Sequence, residues 1–135
     1  MLYTRGWKRN LLSMGEVNSR LSGMLGFAMR AGKLILGTDI VCRAMPKTGG
    51  GRLLLVAVSC TASDGTKKKL FTKSEFYGIK AIEIGISADE LGRLLGKSHP
   101  TAAVGVTDSG FAEQILKAAS LKISGKEVSD LGNGD

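Results

Sequence analysis

The sequence predicts a three-layer α/β/α sandwich formed by a single domain. Helical and strand-like segments alternate along the 135 residues. The strand-like segments are short apolar runs, which suit a sheet covered on both faces. Apolar residues make up 43% of the chain, enough to build a core. No internal repeat or second domain is evident, so one α/β domain is expected.

The first half of the chain contains two predicted helices on either side of a short strand. Apolar side chains at helical spacing predict a first helix over residues 18–31. The apolar run Leu34–Leu36 is predicted to be a strand. Gly37 then permits a tight turn, and Thr38 is expected to cap a second helix over residues 39–45 with its hydroxyl.

The second half of the chain contains three further strands and three further helices. In chain order they are a strand at residues 53–58, a helix at 66–76, a strand at 80–84, a short helix capped by Ser87 and ending at Gly96, a strand at 101–106, and a helix capped by Asp108 that reaches Leu121. All three strands are predicted to lie in the interior of the sheet. Residues 1–17 are expected to form a flexible basic arm and residues 122–135 a disordered polar tail, so that the folded domain spans residues 18–121.

Charge is distributed unevenly along the chain. Residues 1–73 contain 13 Lys and Arg against three Asp and Glu, whereas residues 74–135 contain six against nine. The formal net charge is +7. A basic half joined to a mildly acidic half indicates a nucleic-acid-binding face, with an ordinary solvated surface as the alternative.

Several other functional classes are disfavoured by the residues present. Cys42 and Cys60 are far apart and form no Cys-x-x-Cys pair, which predicts a reducing cytoplasm and no disulfide or zinc framework. His99 is the single histidine of the chain, so no metal cluster is expected. No apolar run is long enough to span a bilayer, and the first residues lack the apolar block of a secretory signal.

Two local patterns suggest catalysis only weakly. Residues 92–98 resemble a phosphate-binding nucleotide loop, but the pattern is one residue too short and follows a helix instead of a strand. Cys60 and His99 form a thiol and imidazole pair without an evident third residue to orient them. We therefore expect no enzymatic activity, no cofactor, no metal and no small-molecule substrate.

Two strand-to-helix junctions carry candidate phosphate contacts. At the first, the predicted helix start after Gly37 offers backbone amides to an anion, with Lys33 before it and Arg43 on the helix itself. At the second, the run Lys67, Lys68 and Lys69 follows the strand at residues 53–58. Cations on neighbouring junctions predict a continuous track for phosphates.

Four sequence pieces in order resemble a known family. They are LSGMLGFAMRAGKLILGTDIVCRA from residue 21, ASDGTKKKL from residue 62, EFYGIKAIEI from residue 75 and ELGRLLGKSHPTAAVGVTDSGFA from residue 90. Together they resemble the kink-turn RNA-binding family that includes ribosomal proteins L7Ae and L30e, most closely its small bacterial YlxQ-like members. The resemblance implies an α/β/α sandwich with a four-stranded mixed sheet, and RNA recognition without catalysis.

The resemblance also implies a site. In the family, the start of the second helix enters the groove beside tandem sheared G·A pairs. Gly37 matches the family glycine at that turn and Arg43 stands where strong binders carry a lysine. Asp39 and Ile40 replace an asparagine and a glutamate, so we expect Asp39 to cap the helix or to pair with Arg43. The loop at residues 97–100 matches a family loop that presents apolar side chains to an extruded nucleotide, and here it is polar and basic.

The sequence thus predicts a non-catalytic RNA-binding protein that recognises structured, kink-turn-like RNA and is associated with the ribosome. The alternative is a protein-interaction module with a degraded RNA site, and a small-molecule enzyme using Cys60 or His99 is more remote. The predicted RNA-binding residues are Lys33, Gly37, Thr38, Asp39, Ile40, Arg43, Lys67, Lys68, Lys97, Ser98 and His99. Lys33, Arg43 and the lysine run are expected on one side of the sheet.

Overall fold

The computed structural model describes the backbone of residues 14–120 and the side chains of residues 19–120. Five helices and four strands alternate in it. They are α1 (Met14–Arg30), β1 (Leu34–Leu36), α2 (Thr38–Ala44), β2 (Leu55–Ser59), α3 (Asp64–Phe76), β3 (Lys80–Ile84), α4 (Ala88–Leu94), β4 (Ala103–Val106) and α5 (Ser109–Ala119).

The strands form one mixed sheet in the order β1-β4-β2-β3. β4 is antiparallel to both β1 and β2, and β2 is parallel to β3. One core packs α1, α4 and α5 on one face of the sheet, and a second packs α2 and α3 on the other. The predicted three-layer sandwich with a four-stranded mixed sheet is confirmed.

β2 shows why the two cores need a doubly covered sheet. Successive side chains of a strand point to opposite faces. Accordingly, Leu55 and Ala57 join the first core while Val56 and Val58 join the second, and all four are fully buried. The continuous apolar run in the sequence is therefore a strand with no solvent-facing side, as predicted.

The prediction that all three later strands are interior was wrong for β3. β3 lies at the edge of the sheet, next to β2. Lys80 and Glu83 are exposed on it, whereas Ile84 is buried. Charged side chains on an edge strand discourage pairing with another chain.

Helix boundaries also differ from the sequence prediction. α1 begins at Met14, so residues 14–17, assigned to the arm, are helical; the rest of the predicted arm, Leu121 and the predicted tail lie outside the described residues. α3 begins two residues early, because the Ser63 hydroxyl accepts a hydrogen bond from the Thr66 amide (3.1 Å). The expected Thr38 cap is wrong: Gly37 is the N-cap residue, and no side chain caps α2.

The position of β4 between β1 and β2 determines which loops meet. The Gly37 amide donates to the Ala103 carbonyl (3.0 Å), and the Ser59 amide donates to the Ala102 carbonyl (2.8 Å). The start of α2, the end of β2 and the segment entering β4 therefore lie together at one end of the sheet. Lys33 is at the other end, where its carbonyl accepts from the Thr107 amide (3.0 Å).

The loop that enters β4 is held closely against α4. The Lys97 amide donates to the Gly92 carbonyl (2.8 Å) and the Thr101 amide to the Ala88 carbonyl (3.0 Å). A Cβ atom at Gly92 would overlap the carbonyl oxygen of His99. Gly92 is therefore a contact glycine, required so that residues 97–101 can lie directly on the helix.

We predict that Gly92→Ala lowers the free energy of unfolding by about 1–3 kcal/mol, because the new methyl group overlaps backbone and displaces the loop. The measurement is equilibrium unfolding in urea. Gly23→Ala is the matched control: Gly23 is exposed in α1 with open space at its Cβ position, and alanine there is expected to stabilise by up to about 1 kcal/mol. Stabilisation by both substitutions would contradict the contact.

Candidate nucleic-acid interface

A groove of about 520 Å³ lies at the end of the sheet where these segments meet. The start of α2 forms one side, and residues 97–102 form the other. The lining residues are Leu36, Gly37, Thr38, Asp39, Ile40, Arg43, Lys97, His99, Pro100, Thr101 and Ala102. Seven of the eleven predicted site residues thus line one groove, although up to 62 residues separate them in the chain.

The backbone at Gly37 creates the entrance to α2. Its φ is 101° and its ψ is 143°, a conformation that glycine adopts freely and L side chains rarely adopt. The Gly37 amide is held by Ala103, and its carbonyl accepts from the Val41 amide (2.9 Å). The turn is therefore fixed by β4 on one side and by the first helical hydrogen bond on the other.

Asp39 forms an ion pair with a residue of α3. It does not cap α2, and none of the described ion pairs joins it to Arg43. Its Oδ1 lies 3.9 Å from Nζ of Lys69, and the Asp39 and Lys69 side chains are 85% and 47% exposed. Both expectations for Asp39 were wrong, because the tertiary packing of α2 beside α3 supplies a cation that the sequence spacing does not reveal. An ion pair this exposed is weak, so both groups remain available to a ligand.

The lysine run divides between two directions. Lys67 Nζ lies 3.5 Å from Oε2 of Glu83 on β3, and Lys69 reaches α2. Lys68, between them on the helix, is exposed. Lys69 thus pairs with a residue that lines the groove, and it was missing from the predicted site residues. Helical rotation of about 100° per residue is the signal that separates the three lysines.

Residues 97–100 present Lys97 and His99 to the groove. The His99 ring is exposed, and its Nδ1 lies 3.2 Å from the Pro100 carbonyl oxygen. Ser98 does not line this groove. It lies instead at a smaller depression on α4, with Asp89 and Arg93.

Lys33 is not brought to the groove, and its predicted place beside the start of α2 was wrong. β1 separates Lys33 from Gly37, and a strand rises about 3.3 Å per residue. Of the cations expected together, Arg43 lines the groove and Lys69 pairs with Asp39 beside it, whereas Lys67 pairs with Glu83 on β3. Sequence reasoning missed Thr101, Ala102 and Leu36, which line the groove because β4 pairs with β1. Pro100 belongs to the predicted loop at residues 97–100 but was not among the predicted site residues.

Ile40 is the one large exposed hydrophobic side chain among the residues that line the groove. It is 50% exposed, although it lies in a helix whose neighbouring Val41 is fully buried. An exposed isoleucine beside Arg43 and Lys97 gives the groove a mixed apolar and cationic lining. Such a lining suits the sugar edge and phosphates of a nucleic acid.

Other chemistry has little support in the described residues. Residues 19–120 contain no group of three or more His, Cys, Asp or Glu arranged to hold a metal ion. Cys42 and Cys60 are free, half-buried thiols. In the part of the chain that the structure describes, no helix has the length and hydropathy needed to cross a membrane.

Known proteins are similar to this chain over most of its length. Residues 19–116 match the model of the ribosomal protein L7Ae/L30e/S12e/Gadd45 family. The RNA-binding protein YlxQ of Enterococcus faecium is 34% identical over 102 residues, covering 75% of this chain and 93% of the relative. The RNA-binding protein YlxQ of Bacillus subtilis (strain 168) is 36% identical over 95 residues, covering 69% and 88%.

Two solved structures share the architecture. A protein of unknown function from Bacillus halodurans C has a TM-score of 0.67 and 34% identity, covering 74% of this chain and 96% of that one. A 15.5-kD RNA-binding protein from Giardia lamblia has a TM-score of 0.61 and 19% identity, covering 77% and 85%. At 19% identity the second likeness shows the fold alone.

We predict that Gly37→Ala lowers the free energy of unfolding by about 1–3 kcal/mol, because alanine is strained at this positive φ although its methyl group meets no neighbour. Thermal and urea unfolding measure the loss. Gly50→Ala is the control, since Gly50 has open space around it and no positive φ. Equal stability of the two variants would mean that the turn at Gly37 tolerates side chains.

Proposed function

The chain belongs to the ribosomal protein L7Ae/L30e/S12e/Gadd45 family, and from this premise we propose that it is a non-enzymatic RNA-binding protein whose groove receives a structured RNA. The main support for this proposal is that α2 and residues 97–102 form one groove with a cation on each side, Arg43 and Lys97. The names of the two YlxQ relatives support RNA as the ligand.

The electrostatics of the groove favour a polyanion. Among its lining residues, Arg43 and Lys97 are cationic and Asp39 is the one carboxylate. Lys69 lies beside that carboxylate and offsets it. Lys68 adds an exposed cation on the same helix, whereas Lys67 pairs with Glu83 on β3. Phosphates that enter here release counterions, which supplies affinity without reading sequence.

We further propose that the RNA contains a kink-turn or a related bend. Gly37 and Arg43 keep the turn and the cation that the family places beside sheared G·A pairs. Asp39 accepts hydrogen bonds but does not donate them, and Ile40 does neither, so base reading at these two positions is weakened. The His99 ring is exposed at the groove and offers a stacking surface to an unpaired nucleotide.

The family membership supports a ribosomal or other structured RNA as the partner, and a cytoplasmic location is the matching proposal. A protein-interaction module on the same fold is the less favoured alternative. It would need an apolar surface at the site, whereas Ile40 is the single large exposed hydrophobic residue among those that line the groove.

We predict that Arg43→Ala weakens RNA binding and reduces the slope of log affinity against log salt by about one, because one phosphate contact is lost. A Lys67/Lys68/Lys69 triple alanine variant should reduce the slope further. Binding of labelled kink-turn RNA and unstructured RNA is titrated at two salt concentrations.

Lys33→Ala is the matched control for this titration, since it removes a cation at the other end of the sheet. Unchanged binding in the Arg43 and triple variants would rule out the proposed interface. Equal affinity of the wild-type protein for the two RNAs would remove kink-turn recognition and leave general RNA binding in place.

We also predict that Asp39→Asn raises the affinity for kink-turn RNA by up to about fivefold, because it removes a negative charge from the phosphate field and restores an amide donor. Fluorescence anisotropy measures the change. Glu113→Gln on α5 removes a similar charge outside the groove and serves as the control. A loss of affinity in Asp39→Asn would instead assign the carboxylate a direct role in binding.

A further inference from the structure

Phe76 and Tyr77 form an exposed aromatic pair at the end of α3, outside the groove. Their ring centroids are 4.9 Å apart and their planes make an angle of 88°, an edge-to-face arrangement. Phe76 is 80% exposed and Tyr77 is 40% exposed. Phe76 thus buries little surface in the fold, and its ring is open to a ligand.

The backbone holds this pair in place. The Gly78 amide donates to the Glu75 carbonyl (3.2 Å) and the Ile79 amide donates to the Ser74 carbonyl (2.8 Å), while Gly78 adopts a φ of 69°. These bonds form a Schellman-type end to α3. The aromatic pair therefore lies on a fixed helix end, so stacking of a ligand on it costs the protein little backbone conformational entropy.

A line of cations joins the groove to the aromatic pair. Lys69, Lys73 and Phe76 follow the spacing i, i+4 and i+7, which places them on one face of α3 over about 10 Å. All three are exposed. Lys69 is the residue that reaches Asp39 at the groove, so the line begins where the groove ends. We call Lys69, Lys73, Phe76 and Tyr77 the α3 track.

The α3 track is free of carboxylates from its own helix. The two acidic residues of α3, Asp64 and Glu75, lie roughly 100° or more around the helix from the line of Lys69, Lys73 and Phe76. Asp39 is the carboxylate that reaches the track, through the exposed ion pair with Lys69. Phosphates at Lys69 and Lys73 would therefore meet net positive charge.

We propose that the α3 track binds a single-stranded segment of the RNA as it leaves the groove, with phosphates at Lys69 and Lys73 and a base stacked on Phe76. Cations beside an open aromatic ring are the features that hold single-stranded nucleic acids without sequence preference. A protein partner fits less well, because two rings flanked by lysines provide far less apolar area than a stable protein interface, about 800 Å² per partner.

This inference rests on the proposed function, and the experiment separates the two. Binding of a kink-turn RNA is compared with binding of the same RNA that carries a short single-stranded uridine tail at one end or the other. The measured quantity is the ratio of the affinity for a tailed RNA to the affinity for the untailed RNA, so that a general loss of binding cancels. The wild-type protein should bind a tailed RNA about tenfold more tightly, the effect of roughly one stacked base.

Phe76→Ala should reduce this ratio to about one, and Lys73→Gln should reduce it and lower the salt dependence of the tail contribution. Phe27→Ala is the matched aromatic control, since Phe27 is 55% exposed on α1 in the opposite helical layer. Lys117→Gln on α5 is the charge control. Both controls should keep the wild-type ratio. A fluorescent adenine analogue in the tail, quenched by stacking, should recover its emission in Phe76→Ala.

Each other outcome overturns a defined claim. If the wild-type protein binds neither RNA, the proposed function fails and the α3 track fails with it. If it binds the tailed and untailed RNAs equally, or if Phe76→Ala and Phe27→Ala lower the ratio alike, the proposal for the α3 track is wrong and the proposed function is unaffected. Self-association that disappears in Phe76→Ala, measured by sedimentation, would assign the aromatic pair to a second copy of the chain and overturn the proposal.

Discussion

The antiparallel insertion of β4 between β1 and β2 is the constraint on which the rest of the structure depends. Through it, Ile35, Val56 and Gly105 share one row of the sheet. A Cβ at Gly105 would overlap a side-chain methyl carbon of Leu53, so Leu53 of the second core packs directly against this glycine. Without β4 at this position, the two halves of the sheet share no strand, and the groove has no second side.

The same constraint explains how a binding groove forms from distant, individually ordinary segments. The carbonyls of Ala102 and Ala103 hold the end of β2 and the start of α2 respectively. Side-chain hydrogen bonds also hold the segment after β2 to the segment before α4. The Ala88 amide donates to the Thr61 hydroxyl (2.9 Å), and the buried Ser59 hydroxyl donates to the Ile86 carbonyl (2.9 Å). Buried polar groups satisfied in this way favour one arrangement of the loops.

The charges of the site contrast with this rigid frame. The described ion pairs near it, between Asp39 and Lys69 and between Lys67 and Glu83, are exposed and long. They contribute little to folding and leave the cations free to exchange partners. The hydrogen-bonded backbone thus positions the groove, while side chains that can change ion-pair partners at little cost in free energy supply its affinity. Such a division suits a ligand whose main recognition feature is a phosphate backbone.

The sequence by itself determined the layers, because an apolar run such as Leu55–Ser59 has no stable place except between two helical faces. It also determined that a tight turn is possible at Gly37, and it set the chemical character of Arg43, Lys97 and His99, which depend on residue type and local order. The register and strand order were left to tertiary structure, since they depend on which strands pair across the sheet. Only that arrangement decided that residues 97–102 lie opposite the start of α2 and that Asp39 meets Lys69. The physical reason is that strand pairing and helix packing join residues far apart in the chain, whereas local sequence patterns report only on neighbours.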